Sequence, residues 1–214
     1  MGVTRSQQNN ITSPNGNSLA VFVDGVTGVM KVKDVMGNIQ PLSDFISGGG
    51  GSSPFEYNAN ATGIQPILGS NTASGLNSTV GGGKQNCASD TYATIGGGLK
   101  NFSMNGDFSF IGGGYCNNVR AYSVVGGGCY NNACCNGSTI GGGYSNATLG
   151  QSSFIGGGSQ NTTSFQSTIV GGSCNTASGC ISTLGGGRQN IASGGYSTLG
   201  GGCLNIASGD KSFV

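Results

Sequence analysis

The sequence predicts an all-β fold: a parallel β-roll or β-solenoid of rungs about 15 residues long, preceded by a small N-terminal β-hairpin module. Three observations carry this expectation. The 214 residues include 45 glycines, far above the ordinary share. Charged residues make up only 7% and hydrophobic residues 35% of the chain. The tripeptide GGG returns at a near-constant interval, and fixed self-similarity is the signature of a repeat architecture. The same numbers exclude other classes. Collagen needs glycine at every third position with abundant proline, and there are four prolines. Each glycine costs a helix about 1 kcal/mol relative to alanine. Charge-driven disorder needs more charge. A net charge of +1 with a pI near 7.5 gives no electrostatic footprint for nucleic acid or an anionic membrane, and no apolar run is long enough for a spanning helix.

Aligned on GGG, the repeat segments include STVGGGKQN (78–86), ATIGGGLKN (93–101), SFIGGGYCN (109–117), STIGGGYSN (138–146) and STLGGGRQN (182–190). Val80, Ile95, Ile111, Val125, Ile140, Ile155, Ile169, Leu184 and Leu199 form an aliphatic column, which Val214 extends. Its spacings are 15, 16, 14, 15, 15, 14, 15, 15 and 15. Six residues after each aliphatic residue stands an asparagine: Asn86, Asn101, Asn117, Asn131, Asn146, Asn161, Asn175, Asn190 and Asn205. All length variation falls between an asparagine and the next aliphatic residue. The aliphatic-GGG-x-x-Asn half is therefore the fixed register, and the other half contains a loop that tolerates one residue more or less.

Alternation in Ser-Thr-Ile places serine and isoleucine on one side and the Thr, Phe or Val column on the other. That outward column, from Thr79 to Phe213, is β-branched or aromatic throughout, which is strand chemistry. A second column follows each asparagine by two residues (Ala73, Ala88, Ser103, Val119 and onward to Ala207). Its small size suits close packing of another strand or chain. Glycine supplies left-handed or closely approached backbone. One asparagine per rung suits a side-chain ladder that satisfies turn amides. Each rung thus reads as two short strands joined by two turns, one rigid and one variable. No rung can bury a face alone, so the rungs must stack.

The repeat S-T-I-G-G-G-x-x-N-x-A-S-G resembles the head repeats of trimeric autotransporter adhesins of the YadA type. It is also similar to the SNTASG/GGG repeats of marine tailed-phage fibre and appendage proteins. Asn71-Thr72-Ala73-Ser74-Gly75, Asn175-Thr176-Ala177-Ser178-Gly179, Asn190-Ile191-Ala192-Ser193-Gly194 and Asn205-Ile206-Ala207-Ser208-Gly209 carry the second half of the motif. The resemblance covers residues 69–214 and implies a left-handed β-roll assembled as a homotrimer. The autotransporter repeat usually has one glycine after its aliphatic residue, where this chain has three.

Residues 1–17 are polar and read as an extended arm. Leu19–Asp24 and Val29–Asp34 read as strands around a Gly25–Gly28 turn. Gly37-Asn38 is a turn before Ile39–Leu42, and Leu42–Ile46 reads as a short strand or a helical turn. Gly48–Ser53 reads as a hinge, and residues 54–68 as irregular. The expected division is a module over 1–47, a transition over 48–68 and the repeat over 69–214. A hairpin module this small needs a partner. Its segment FVDGVTGVMKVKDVMGNIQPLSDF resembles N-terminal modules of phage virion appendages, which makes Val21, Phe22, Val23, Val29, Val32, Leu42 and Phe45 docking candidates toward a phage tail, neck or capsid protein.

Recognisable chemistry is sparse. Histidine is absent, no GK[ST] follows a glycine triplet, and the seven acids show no paired spacing. The expectation is no catalytic, cofactor or metal site. Cys87, Cys116, Cys129, Cys134, Cys135, Cys174, Cys180 and Cys203 fall in different columns. They read as free thiols filling small sites, with inter-rung or inter-chain disulfides as the alternative. The opening MGVTRSQQNN lacks an apolar core, which favours cytoplasmic synthesis and assembly into a virion. The chain stops at Val214, where GGG is due, and the expectation is that it continues. The functional expectation is a non-enzymatic, homotrimeric fibre or whisker-like virion appendage for host attachment, with a host surface glycan or protein as partner. Tyr92, Tyr122, Tyr144 and Tyr196 read either as packing between rungs or as stacking on glycans. The alternatives are a bacterial trimeric adhesin head and an ice-binding solenoid.

Overall fold

The computed structural model describes residues 9–12, 18–23, 30–33, 39–41, 55–57, 64–66 and 70–214, and among them every regular element is a β-strand. The chain divides into two compact units, Met1–Ser53 and Pro54–Val214.

The first unit holds a sequential antiparallel sheet of β1 (Asn9–Thr12), β2 (Ser18–Val23), β3 (Met30–Lys33) and β4 (Ile39–Pro41). Register is set by Ile11 opposite Leu19, Val21 opposite Val32 and Val32 opposite Gln40. The strand at Asn9–Thr12 lies inside the segment read as an arm. The backbone of β2 needs partners on both edges, and a polar segment supplies them as well as an apolar one. Pro41 has no N–H to donate and sits on the last strand of the order, where a missing donor is tolerated. Val21, Phe22 and Val23 lie on β2 and Val32 on β3. Val29, Leu42 and Phe45, the Leu42–Ile46 segment and the Gly48–Ser53 hinge lie outside the described residues.

The second unit is a β-solenoid of about nine turns. One parallel sheet runs through the Thr-aliphatic pairs, from β8 (Thr79–Val80) to β24 (Thr198–Leu199). Another runs from β7 (Thr72–Ala73) to β25 (Ile206–Ala207). Equivalent residues pair in register, as in Thr139 with Phe154 and Ile140 with Ile155. Two sequence expectations are corrected here. Part of the 54–68 segment is regular: β5 (Phe55–Tyr57) and β6 (Ile64–Pro66) pair antiparallel, and β6 joins the first sheet through Ile64 and Thr79. A partner on that edge covers backbone groups of the first rung. Each rung also has three β-segments rather than two. The third is a single residue, and these residues form an unbroken line of parallel bridges from Lys84 through Leu99, Tyr115 and Cys129 to Cys203.

Three left-handed residues turn each rung, for example Gly83, Gln85 and Tyr92 at φ 79°, 57° and 59°. Strand residues donate forward to the next rung, as Thr139 N–H does to Ser153 O at 2.9 Å. Corner residues donate backward, as Ser145 N–H does to Cys129 O at 2.9 Å. This two-way bonding holds non-glycine residues in a conformation that costs roughly 1–2 kcal/mol each.

The core is one aliphatic side chain facing one small side chain per rung. The column from Val80 to Leu199 is fully buried, as are Ala73, Ser103, Thr148, Thr163 and Ala192. The small column is thus covered by a strand of the same chain. Val214, aligned with the aliphatic column, is half-exposed. The residue before each Thr, Phe or Val, serine in all rungs but that of Ala93, also points inward, as the alternation requires. Several of these serines close a corner: Ser138 Oγ donates to Cys135 O at 2.6 Å and Ser153 Oγ to Gly150 O at 2.7 Å.

The rung of 16 residues carries its surplus near Asn105, itself left-handed at φ 71°. Buried Asp90 organises that loop. Its Oδ1 accepts the Gly106 N–H at 3.0 Å, and its Oδ2 accepts the Ser103 hydroxyl at 2.8 Å. The variable half of the repeat is where the sequence placed it.

Candidate functional site

The most ordered polar feature is an asparagine ladder from Asn71 to Asn205. In its middle, Asn146 donates its backbone N–H to Asn131 Oδ1 at 3.0 Å. Its Nδ2 donates to Gly142 O and Gly158 O, both at 3.0 Å. Its Oδ1 accepts the Asn161 N–H at 3.0 Å. The residue therefore ties three rungs together, the preceding one through its backbone N–H and the following one through its side chain. Aspartate would lack the donors, and glutamine would place them one methylene too far out. Asn86, Asn101, Asn117, Asn131, Asn161, Asn175 and Asn190 occupy the same buried position, and Asn205 is half-buried. The ladder is turn chemistry, and from Asn86 to Asn190 every side-chain amide is engaged within it.

The glycine triplet divides by role. A Cβ on the first glycine, as at Gly141, would strike the carbonyl of Gly156 in the next rung. The third, Gly143, is left-handed at φ 95°, and its Cβ would lie 2.8 Å from Asn146 Nδ2. The middle glycine meets neither constraint in most rungs. A Cβ on Gly82, Gly127 or Gly157 would have nothing within 4 Å. A single solenoid gives no reason for glycine there.

Two corners carry exposed aromatic rings. Tyr92 stacks on Phe108 with centroids 4.7 Å apart and planes at 14°, and Phe108 stacks on Tyr122 at 5.4 Å and 22°. On another corner, Tyr130 meets Tyr115 edge-on at 5.2 Å and Tyr144 at 5.9 Å. Hydrogen bonds to the Tyr130 and Cys116 side chains push the Tyr115 phenol above its ordinary pKa. Tyr92, Tyr122 and Tyr144 thus pack between rungs while remaining about half-exposed. Tyr196 stands between Ile181 and Lys211 in its column and is 58% exposed. Phe108, Tyr115 and Tyr130 were not singled out from the sequence. Phe108 and Tyr130 sit at left-handed positions and Tyr115 on the line of single-residue bridges, so their recurrence is visible only once those positions are known.

Those positions also bear on ice binding. A flat Thr-x-Thr array needs a second threonine rank two residues before the first. Asn77, Tyr92, Phe108, Tyr122 and Gln166 occupy it, all in left-handed corners, so it turns away from the strand face.

The eight cysteines are free thiols spread over several columns. Cys134 and Cys135 have sulfurs 3.5 Å apart, and Cys134 Sγ donates to Thr148 O at 2.9 Å. Burial first, and then Cys134, push the Cys135 thiol up, while Arg120 pulls it down. Among the described residues no three His, Cys, Asp or Glu side chains converge as a metal site would require, and no helix is long and apolar enough to cross a membrane. No protein-family model matches the chain, and no curated protein matches it.

Proposed function

We propose that this chain is a structural virion protein: a fibre or whisker-like appendage of a tailed phage, anchored through residues 1–47 and projecting the solenoid as a shaft that serves host attachment. Three chains assemble side by side, each coil left-handed as in the repeats it resembles. The observation that carries this reading is the middle glycine of each triplet. It recurs in every rung, although in all but the rungs of Gly186 and Gly201 one solenoid has both the room and the backbone conformation for a side chain there. A neighbouring chain lying against this stripe supplies the missing reason, since glycine permits close backbone approach. The resemblance of the repeat and of the N-terminal segment to phage appendages supplies the setting. A trimeric shaft presents the same outward columns three times over at every rung, so modest contacts gain strength by multivalency.

Immunogold labelling of purified phage particles with antibody against residues 70–214 tests this. The reading predicts gold on projecting appendages. Particles free of label, with the protein recovered instead from the bacterial surface or the soluble fraction, would contradict it.

A further inference from the structure

We infer that the corner at Gly137 is a slot for one pyranose ring of a glycan, stacked on Tyr122. The left-handed corner column runs through Tyr92, Phe108, Tyr122, Gly137 and Ser152, at φ 59°, 58°, 54°, 70° and 52°. Its backbone ladder is unbroken. The N–H of Phe108 donates to Thr91 O at 2.9 Å, Tyr122 to Asp107 O at 2.8 Å, Gly137 to Ala121 O at 3.3 Å and Ser152 to Asn136 O at 3.0 Å.

The ring stack stops while the backbone continues. Three successive rungs carry parallel rings, and the fourth carries glycine in the same conformation. One face of Tyr122 is covered by Phe108, and the other looks toward the rung of Gly137. A Cβ on Gly137 would meet nothing closer than Ser152 Oγ at 3.7 Å. Tyr122 and Ser152 are two rungs apart, about 9–10 Å, so one ring fits between them at the height of Gly137.

The rim selects the occupant. Asn136 and Gln151, each one residue before the corner, are exposed on neighbouring rungs, and Ser152 is exposed at the far wall. A pyranose has an apolar C–H face for Tyr122 and a hydroxyl edge for two amides and a hydroxyl. A purely aromatic ligand would use the ring and leave the polar rim unpaired. An aromatic surface with a few placed polar groups is the usual make-up of a small-ligand site. The slot needs only the surface of one solenoid and does not depend on the appendage reading.

Saturation-transfer NMR on the full chain tests it, with the methyl glycosides of glucose, galactose, mannose and N-acetylglucosamine as probes and indole as the contrasting ligand. The expected result is transfer to ring C–H protons of at least one glycoside. Gly137→Tyr should weaken that binding by about three- to tenfold, the size of one lost ring-face contact, with thermal unfolding unchanged or raised because Tyr122 already occupies the same backbone conformation. Tyr122→Ala should weaken it similarly. Transfer to none of the four glycosides, transfer to indole alone, or glycoside binding that survives Gly137→Tyr would overturn the inference. Glycoside binding lost in that variant would sustain it even if phage particles carried no label.

Discussion

Asn146 shows how much of this molecule rests on one residue type. Its side chain satisfies two glycine carbonyls and one backbone N–H across its own rung and the next. Asn146→Ala leaves the Gly142 carbonyl and the Asn161 N–H without that partner, at about 1–3 kcal/mol for each orphaned group, while Gly158 O keeps the Tyr144 N–H at 2.9 Å. The expected loss is about 3–5 kcal/mol in urea unfolding followed by far-UV circular dichroism, where Asn205→Ala costs about 1 kcal/mol. Asn205 is the gentler case because its Nδ2 reaches Gly201 O at 3.0 Å and no next-rung carbonyl. Equal losses at the two sites would contradict the ladder account. The role of this column was legible in the sequence because asparagine at a fixed offset from an aliphatic residue has few other uses. The left-handed conformation of Gln85, Tyr92 or Ile181 was not legible. Nothing in those residue types asks for it, and Ile181 as a β-branched residue resists it. Hydrogen bonds between rungs impose it, and they exist only once the coil has stacked.

Within a rung, the fixed and variable halves differ in what an extra residue disturbs. An insertion near Asn105 enlarges a loop that already holds one surplus residue, and lengthening a loop costs little. An insertion after Gly142 separates Ile140 from Asn146 and takes one of them out of its column. A glycine inserted after Asn105 should cost less than about 1 kcal/mol. The same glycine after Gly142 should lower the unfolding midpoint by an amount comparable to Asn146→Ala. Thermal unfolding of the two variants checks this, and equal tolerance would contradict it. The spacings gave this division directly. The third β-segment was missed because a single residue has no alternation to read, only a parallel partner such as Tyr144 for Cys129. The Asn9–Thr12 strand and the Phe55–Pro66 pair were missed for a related reason. Both answer an edge that needs partners, and that need belongs to the sheet rather than to the segment.

At the scale of the whole solenoid, about nine turns at about 4.8 Å each rise about 43 Å. Over that length the interior is explained by one chain: aliphatic side chains against small ones, serines closing corners, asparagines joining rungs. The surface is not. The middle glycines have room they do not use, and ring-on-ring contacts line two corners between Tyr92 and Tyr144. A chain that served only to fold would not need either feature, which is why the account centres on assembly. Sedimentation equilibrium of the purified full chain tests that claim most directly. The account predicts a mass three times that of the 21.1 kDa chain. A single 21.1 kDa species, folded and with its β circular dichroism intact, would contradict it.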